Sequence, residues 1–284
     1  MAKIIDGKKI RDYNLELMKN QVRELKEKGV FPCLSVIIVG NDPASRVYVN
    51  NKKAACAKIG IESREYALPE QTTTEELLAL VDELNADDTV SGILCQMPVP
   101  KQIDSNAVLE RINPDKDVDC FHPVNIGRLC AGYGVMMPCT PYGIIKMLEY
   151  ENIEIAGKTC AVIGRSNIVG KPMAILMSQA NATVTLCHSK TRDLSSVTSK
   201  ADILISAVGK PKFVTADMVK DGAVVIDVGM NRDENGKLCG DVIFEQVNEK
   251  ASYITPVPGG VGPMTITMLM RNTIAAAVNQ KNIH

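Results

Sequence analysis

The first half of the chain switches repeatedly between two hydrophobic periods. Over 8–28, Ile10, Leu15, Met18, Val22 and Leu25 recur near one helical face, and Gly29 supplies the stop. Cys33 to Val39 is a short stretch, apolar apart from Ser35, which predicts a buried strand ending at Gly40-Asn41-Asp42-Pro43. A helix is expected from about 44 to 59, closed by Gly60, and a further strand over 61–68. Thr73 and Glu76 suit a capping box for a helix through Leu77, Leu80, Val81 and Leu84. Residues 90–95 form the next strand, and Pro98 and Pro100 prevent it from continuing. A short helix over 105–112 and a charged loop over 113–119 follow.

Gly127, Gly132, Gly134 and Pro138 make 125–138 read as loop and as the domain boundary. Thr140-Pro141 then offers an N-cap and an N1 proline for a helix to about Tyr150. Beyond it, strands over 159–163, 182–187, 203–208 and 224–228 alternate with helices near 171–179, 193–200 and 215–220. That alternation predicts a parallel sheet with helices on both faces. The last helix opens from Gly259-Gly260-Val261-Gly262-Pro263 and runs to about 277. The expected fold class is α/β with two domains: 1–139, and a Rossmann-like parallel-sheet domain over 140–284. The C-terminal segment from about 263 to 284 is free to pack back on the first domain.

Composition narrows the function classes. With 45% hydrophobic residues, 23% charged residues and a net charge of −1, no global field recruits nucleic acid or an anionic membrane. Trp is absent and aromatics are 4%, which disfavours stacking on single-stranded nucleic acid. No apolar run reaches the length of a membrane span, and the N-terminus lacks the apolar region of a signal peptide. Nine cysteines, an odd number with no C-x-x-C pair, and three scattered histidines give no metal pattern. Reduced thiols, a cytoplasmic location and no metal are expected.

Residues 157–172 carry the strongest local signal. A strand over 159–163 stops at Gly164, and Gly170 precedes a helical pattern, forming a strand–turn–helix that grips phosphate in doubly wound proteins. The spacing is not G-x-G-x-x-G, and glycine also serves plain turns. The strand over 182–187 ends at His188-Ser189-Lys190, where an NAD site would place a carboxylate on the ribose 2′-hydroxyl. Arg165 lies on the turn where a 2′-phosphate would sit, so the pattern favours NADP over NAD. The alternative is a solvated Arg165 and a turn-capping Ser189.

A second constellation lies in the first half. Ser45, Tyr48 and Lys52 project from one helix face after a strand's carboxyl end, and Gln96 ends a neighbouring strand. A lysine beside a tyrosine can act as acid or base, although the same spacing serves an ordinary solvated face. Asp119 could orient a polar ligand or serve a surface turn. The glycine-rich Pro256–Gly262 stretch either approaches a ligand or simply turns.

With those residues in view, the chain resembles the bifunctional methylenetetrahydrofolate dehydrogenase/methenyltetrahydrofolate cyclohydrolase family over nearly its full length. The matching stretches are 40–52, 92–100 (Gly-Ile-Leu-Cys-Gln-Met-Pro-Val-Pro), 114–119, 164–172, 188–191 and 256–265. The resemblance implies an N-terminal folate-binding catalytic domain, an NADP-binding domain and an active-site cleft between them. It implies oxidation of 5,10-methylenetetrahydrofolate with NADP, then hydrolysis to 10-formyltetrahydrofolate, within one-carbon metabolism and purine biosynthesis. Lys52, Tyr48, Gln96 and Asp119 take the catalytic roles. Ser45, Tyr48, Asp119, Pro256, Gly259 and Gly260 line the folate site, and Gly164, Arg165, Ser166, Ser189 and Met230 contact NADP. The family also implies a homodimer acting on tetrahydrofolates with or without a polyglutamate tail. A dehydrogenase without the hydrolytic step, or a non-catalytic NADP- or folate-binding regulator, are the alternatives. Cys120 stands where the family usually has glycine, Met97 where leucine is common, and Met230 where an aliphatic β-branched residue is common.

Overall fold

The computed structural model describes residues 1–281; the expected C-terminal segment's last positions, 282–284, lie outside the described residues. In chain order the elements of the first half are β1 (Lys3–Ile4), α1 (Gly7–Glu27), β2 (Cys33–Val39), α2 (Pro43–Ile59), β3 (Glu62–Leu68), α3 (Thr74–Ala86), β4 (Gly92–Cys95), α4 (Ser105–Arg111) and α5 (Pro123–Ala131). Then come α6 (Cys139–Tyr150), β5 (Thr159–Ile163), α7 (Gly170–Gln179), β6 (Thr183–Cys187), α8 (Leu194–Thr198), β7 (Ile203–Ser206) and β8 (Val224–Asp227). The last are β9 (Asn231–Arg232), β10 (Leu238–Cys239), α9 (Phe244–Asn248), β11 (Tyr253–Ile254) and α10 (Val261–Gln280). They divide into two compact units, Tyr13–Cys139 with Ile266 onward, and Met1–Asp12 with Thr140–Thr265.

The unit built on 13–139 contains a parallel sheet in the order β3-β2-β4. Its central strand, β2, is buried at every position, which is why it is apolar apart from Ser35. Ile37, Val39, Leu77, Val81, Leu84, Ile93 and Ile112 form one of its apolar clusters. The Thr73–Glu76 capping box is present in both directions, and Gly60 closes α2 in the left-handed conformation at φ 85°.

Two expectations in this unit are corrected. Residues 123–131 are helical rather than loop: His122 accepts from Val124 N, Pro123 opens the helix, and Gly132 ends it at φ 81°. Gly127 lies inside that helix, while only Gly132 marks its end. The 113–119 segment is also not a solvated surface loop, because Lys116 and Asp117 are buried.

The second unit carries a six-stranded, all-parallel sheet in the order β1-β11-β8-β7-β5-β6. The chain passes from β5 to β6 on one side, then to β7 and β8 on the other. The crevice at the carboxyl ends of β5 and β7 is therefore the topological switch point, where such sheets bind ligands. Expected boundaries shift at several places. Thr140 lies within α6 rather than capping it, and its hydroxyl meets that of Thr265 at 2.9 Å. The 215–220 helix shrinks to a single 3-10 turn over Ala216–Met218. The β9–β10 hairpin, α9 and the short strands β1 and β11 lack a periodic signal, because elements of two to five residues are too short to show one.

Candidate functional site

In the first unit the site grows from the carboxyl end of β2. Gly40 leaves the strand at φ 77°, Asp42 accepts from Ser45 N at 2.7 Å, and Pro43 starts α2. The helix then carries Ser45, Tyr48 and Lys52 along one face. Ser45 is buried, Tyr48 is exposed and Lys52 is half-buried. Lys52 Nζ donates to Gln96 Oε1 at 2.8 Å. Gln96 is fixed in turn: its backbone N–H donates to Ile37 O at 2.8 Å, and Nε2 donates to Met97 O at 2.7 Å. The amide can therefore present only its oxygen to the lysine.

Asp119 is delivered to the same place by a segment anchored on four sides. Ile93 N donates to Lys116 O at 2.8 Å, which docks the segment on β4. A Cβ on Gly92 would stand 2.4 Å from Val118 Cγ1, so only glycine allows that approach. Lys116 Nζ donates to the carbonyls of Leu84, Asn85 and Asp87 at 3.0, 2.9 and 2.8 Å, placing a cation at the end of α3. Burial alone would favour the neutral amine and lowers its pKa. Asp117 accepts from His122 N at 2.8 Å and Asn125 Nδ2 at 3.0 Å, binding the segment to α5. Asn272 Nδ2, on α10, donates to Val118 O and Met137 O, each at 2.8 Å.

Asp119 is half-buried, and desolvation pushes its pKa up to about 6; nearby Lys52 acts in the opposite direction. The Cys139 thiol contacts Oδ1 at 3.9 Å, a long and weak donor. A carboxyl near neutrality, with acceptor capacity to spare, can take N–H groups from a polar ring. Cys120 is fully buried at φ 61°, its thiol directed to Met136 O at 3.4 Å. Its side chain points to backbone rather than adding a nucleophile, and burial pushes its thiol well above the usual range. Asn272, Lys116, Asp117 and Cys139 hold this segment in ways the sequence does not signal: the partners of Asn272, Lys116 and Cys139 lie far away in the chain, and Asp117 is received by the first turn of α5, a helix the sequence reads as loop.

In the second unit the phosphate turn has its geometry imposed by close approach. Gly164 takes φ 113°, and a Cβ there would meet Ala207 O at 2.2 Å. A Cβ on Gly170 would meet Gly164 O at 2.0 Å. Both glycines are therefore required by packing. The turn does not present every amide free, because Ser166 Oγ accepts from Val169 N and Gly170 N at 3.2 and 3.3 Å. Arg165, Ser166 and Ser189 are exposed, and no carboxylate ends β6, so the residues fit a 2′-phosphate-bearing dinucleotide. Met230 is 54% exposed. Pro256 and Gly259 are half-buried; Gly260 is buried, and a Cβ on it would meet Pro256 O at 2.5 Å. Among the described residues no group of His, Cys, Asp and Glu is arranged to hold a metal, and no helix is long and apolar enough to cross a membrane.

The structure thus brings Lys52, Gln96 and Asp119 together in one unit, with Ser45 and Tyr48 on the same helix as the lysine. The remaining predicted residues all belong to the other unit.

Comparison with known proteins gives two family domains, whose boundaries differ from the two compact units at 5–12 and 266–281. Residues 5–119 match the tetrahydrofolate dehydrogenase/cyclohydrolase catalytic domain, and 138–281 match the NAD(P)-binding domain of the same name. The bifunctional protein FolD of Agathobacter rectalis is 59% identical over 97% of this chain and 99% of its own. The crystal structure of the bifunctional FolD enzyme of Campylobacter jejuni superposes with a TM-score of 0.95 at 50% identity, covering 98% of this chain and 99% of that one. The Trypanosoma brucei methylenetetrahydrofolate dehydrogenase-cyclohydrolase, solved with NADP and an inhibitor, gives 0.92 at 38% identity, covering 98% of each chain.

Proposed function

Because the chain belongs to the tetrahydrofolate dehydrogenase/cyclohydrolase family, we propose that it oxidises 5,10-methylenetetrahydrofolate with NADP and hydrolyses the methenyl product to 10-formyltetrahydrofolate. The observation that carries this reading is the Lys52–Gln96 pair beside the half-buried Asp119, whose pKa is raised by desolvation. A regulator that only bound folate would have no use for an amine held by a glutamine whose other end is locked.

The two steps ask different things of the protein. NADP, when bound, supplies the hydride acceptor. The lone pair of the adjacent folate nitrogen stabilises the resulting cation, so the first step needs alignment more than acid or base. Asp119 provides that alignment by accepting N–H groups of the pterin, with Ser45 and Tyr48 lining the folate site in the same unit; Pro256, Gly259 and Gly260 are assigned to folate by family resemblance alone. Hydrolysis adds water to the methenyl carbon, breaks one carbon–nitrogen bond and releases one proton net. Both protons of the added water must leave its oxygen: one reaches the departing nitrogen and the other is released. Lys52 Nζ moves these protons, Gln96 Oε1 holds the amine in place, and Tyr48 flanks it on α2.

The folate chemistry is assigned to the unit built on 13–139, and the dinucleotide to the unit of 1–12 and 140–265. Gly164, Arg165, Ser166, Ser189 and Met230 hold NADP, with Arg165 and Ser189 on the 2′-phosphate. The nine cysteines are all free thiols, which supports a reducing compartment and the cytoplasm. Family resemblance supports a homodimer and a place in one-carbon metabolism.

The test is absorbance during incubation with methylenetetrahydrofolate and NADP, repeated with NAD. Formation of NADPH, with the methenyl intermediate decaying faster than in buffer, is the expected result. Accumulation of the intermediate would remove the hydrolytic assignment. No reduction with either nucleotide would leave a binding protein.

A further inference from the structure

Asp241 is completely buried, lies outside every motif considered above, and gathers more donors than any other carboxylate in its unit. Oδ2 accepts from Ser206 Oγ at 3.0 Å, Val208 N at 2.8 Å and Gly209 N at 3.4 Å. Oδ1 accepts from Lys210 N at 3.1 Å and Asn231 Nδ2 at 2.9 Å. Three successive backbone amides converging on one carboxylate form an anion-binding nest. Here the anion is supplied by the chain itself.

The place of that nest gives it meaning. Ser206 ends β7, and Val208–Lys210 is the turn directly after it, at the switch point between β5 and β7. The same turn touches the phosphate loop, since Ala207 O occupies the space a Gly164 side chain would need. Asn231 starts β9 immediately after Met230, the exposed residue that follows the carboxyl end of β8. One carboxylate therefore ties together the two segments that follow β7 and β8, both on the cofactor side of the sheet.

Glycines make room for it. A Cβ on Gly229 would lie 2.4 Å from Asp241 Oδ1, and one on Gly240 would lie 1.8 Å from Asp227 Oδ2. Asp227 completes the framework by accepting from Gly229 N, Asp241 N and Val242 N at 2.8, 2.9 and 3.0 Å.

We infer that Asp241 is a positioning residue for the dinucleotide: its carboxylate fixes the Val208–Lys210 turn and the Met230–Asn231 segment in the shape that receives NADP. This rests on the dinucleotide reading above. It acts through backbone, so removing it weakens cofactor binding rather than the chemistry. In Asp241→Asn the amide nitrogen replaces one acceptor with a donor, facing groups that are themselves donors.

The experiment compares wild type and Asp241→Asn for NADP affinity by fluorescence titration, for the NADP KM and kcat of the dehydrogenase step, and for methenyl hydrolysis without dinucleotide. The expected result is at least a tenfold rise in Kd and KM for NADP. The kcat at saturation should stay within threefold and hydrolysis within twofold. A folded Asp241→Asn with wild-type NADP affinity overturns the inference. So does a parallel loss of hydrolysis, which would make the residue purely structural. Asn231→Ala leaves the carboxylate its other four donors and decides the matter if Asp241→Asn does not fold: a rise of threefold or more in KM supports the assignment, and no rise overturns it. Absence of NADP binding by the wild type would instead sink the dinucleotide reading itself.

Discussion

Replacing Gln96 with methionine removes the acceptor from Lys52 while keeping side-chain length and most of the volume. The bond lost is 2.8 Å long and comes from an amine, a class of hydrogen bond with a net value of about 1.5–3 kcal/mol. Lys52 and Gln96 both keep some contact with solvent, which screens the interaction and favours the lower half of that range. The bond orients the proton-transferring group, so its loss enters the barrier. About 1.5–2 kcal/mol corresponds to a fall of roughly 10- to 30-fold in the hydrolytic rate. The assay is decay of methenyltetrahydrofolate absorbance without dinucleotide, at several pH values. Gln96→Glu sharpens the result. Its carboxylate still accepts from Lys52 but loses the donor to Met97 O and electrostatically holds a proton on the amine. Hydrolysis should therefore fall further in Gln96→Glu than in Gln96→Met. If Gln96→Met hydrolyses within twofold of wild type, the orienting role is wrong.

Four further outcomes follow from the same geometry. Lys52→Met should abolish hydrolysis without lowering Tm; substantial residual activity would remove the lysine from the proton path. Arg165→Ala should raise the NADP KM by roughly 10- to 100-fold, in line with one charge-assisted phosphate contact, and leave the NAD KM within twofold; equal effects on both nucleotides would end the 2′-phosphate assignment. Asp119 lies at about 6 in the fold against about 3.9 in an unfolded chain, so the folded state binds that proton more tightly. Its stabilising contribution is full below pH ~4 and is lost as pH rises through 6, Asp227 acting in the same direction, so Asp119→Asn should flatten the fall of Tm over that window. Cys120→Gly relieves a left-handed φ of 61°, worth about 1–2 kcal/mol, but gives up a fully buried side chain. The two nearly cancel, and urea unfolding should show a change below about 1 kcal/mol.

Legibility in the sequence followed the range of the interaction. Strands such as β2 and β5 were readable because strands buried on both faces are mostly apolar, Ser35 and the exposed Thr159 being the polar members, and the helices were readable where a cap or a glycine stop lies within four residues. Residues 123–131 were misread because glycine was counted as a breaker wherever it occurred. Gly132 does end that helix, whereas Gly127 lies inside it with open space beside its Cα. The Ser45–Lys52 face of α2 was visible as a spacing, but spacing alone does not separate a site from a solvated face. In the structure Lys52 is held by Gln96, 44 residues away in the chain, whose own amide is locked by Met97 O.

The charged stretch 113–119 shows why the remainder was hidden. In sequence, Asp115, Lys116, Asp117 and Asp119 look like a single polar surface turn. In the fold they have separate assignments: Lys116 closes α3, Asp117 binds α5, and Asp119 alone keeps acceptor capacity for a ligand. An unpaired buried charge would cost several kcal/mol, so each neighbour of Asp119 is buried only where partners from distant segments receive it. Asp241 follows the same rule in the other unit, where the donors come from β7, the turn after it and β9. Asp241 is fully buried and Asp119 half-buried, and each meets groups from other segments of the chain. Asp119 keeps spare acceptor capacity, which fits a ligand-binding role, whereas Asp241 is saturated by its own chain, which fits a scaffold for one.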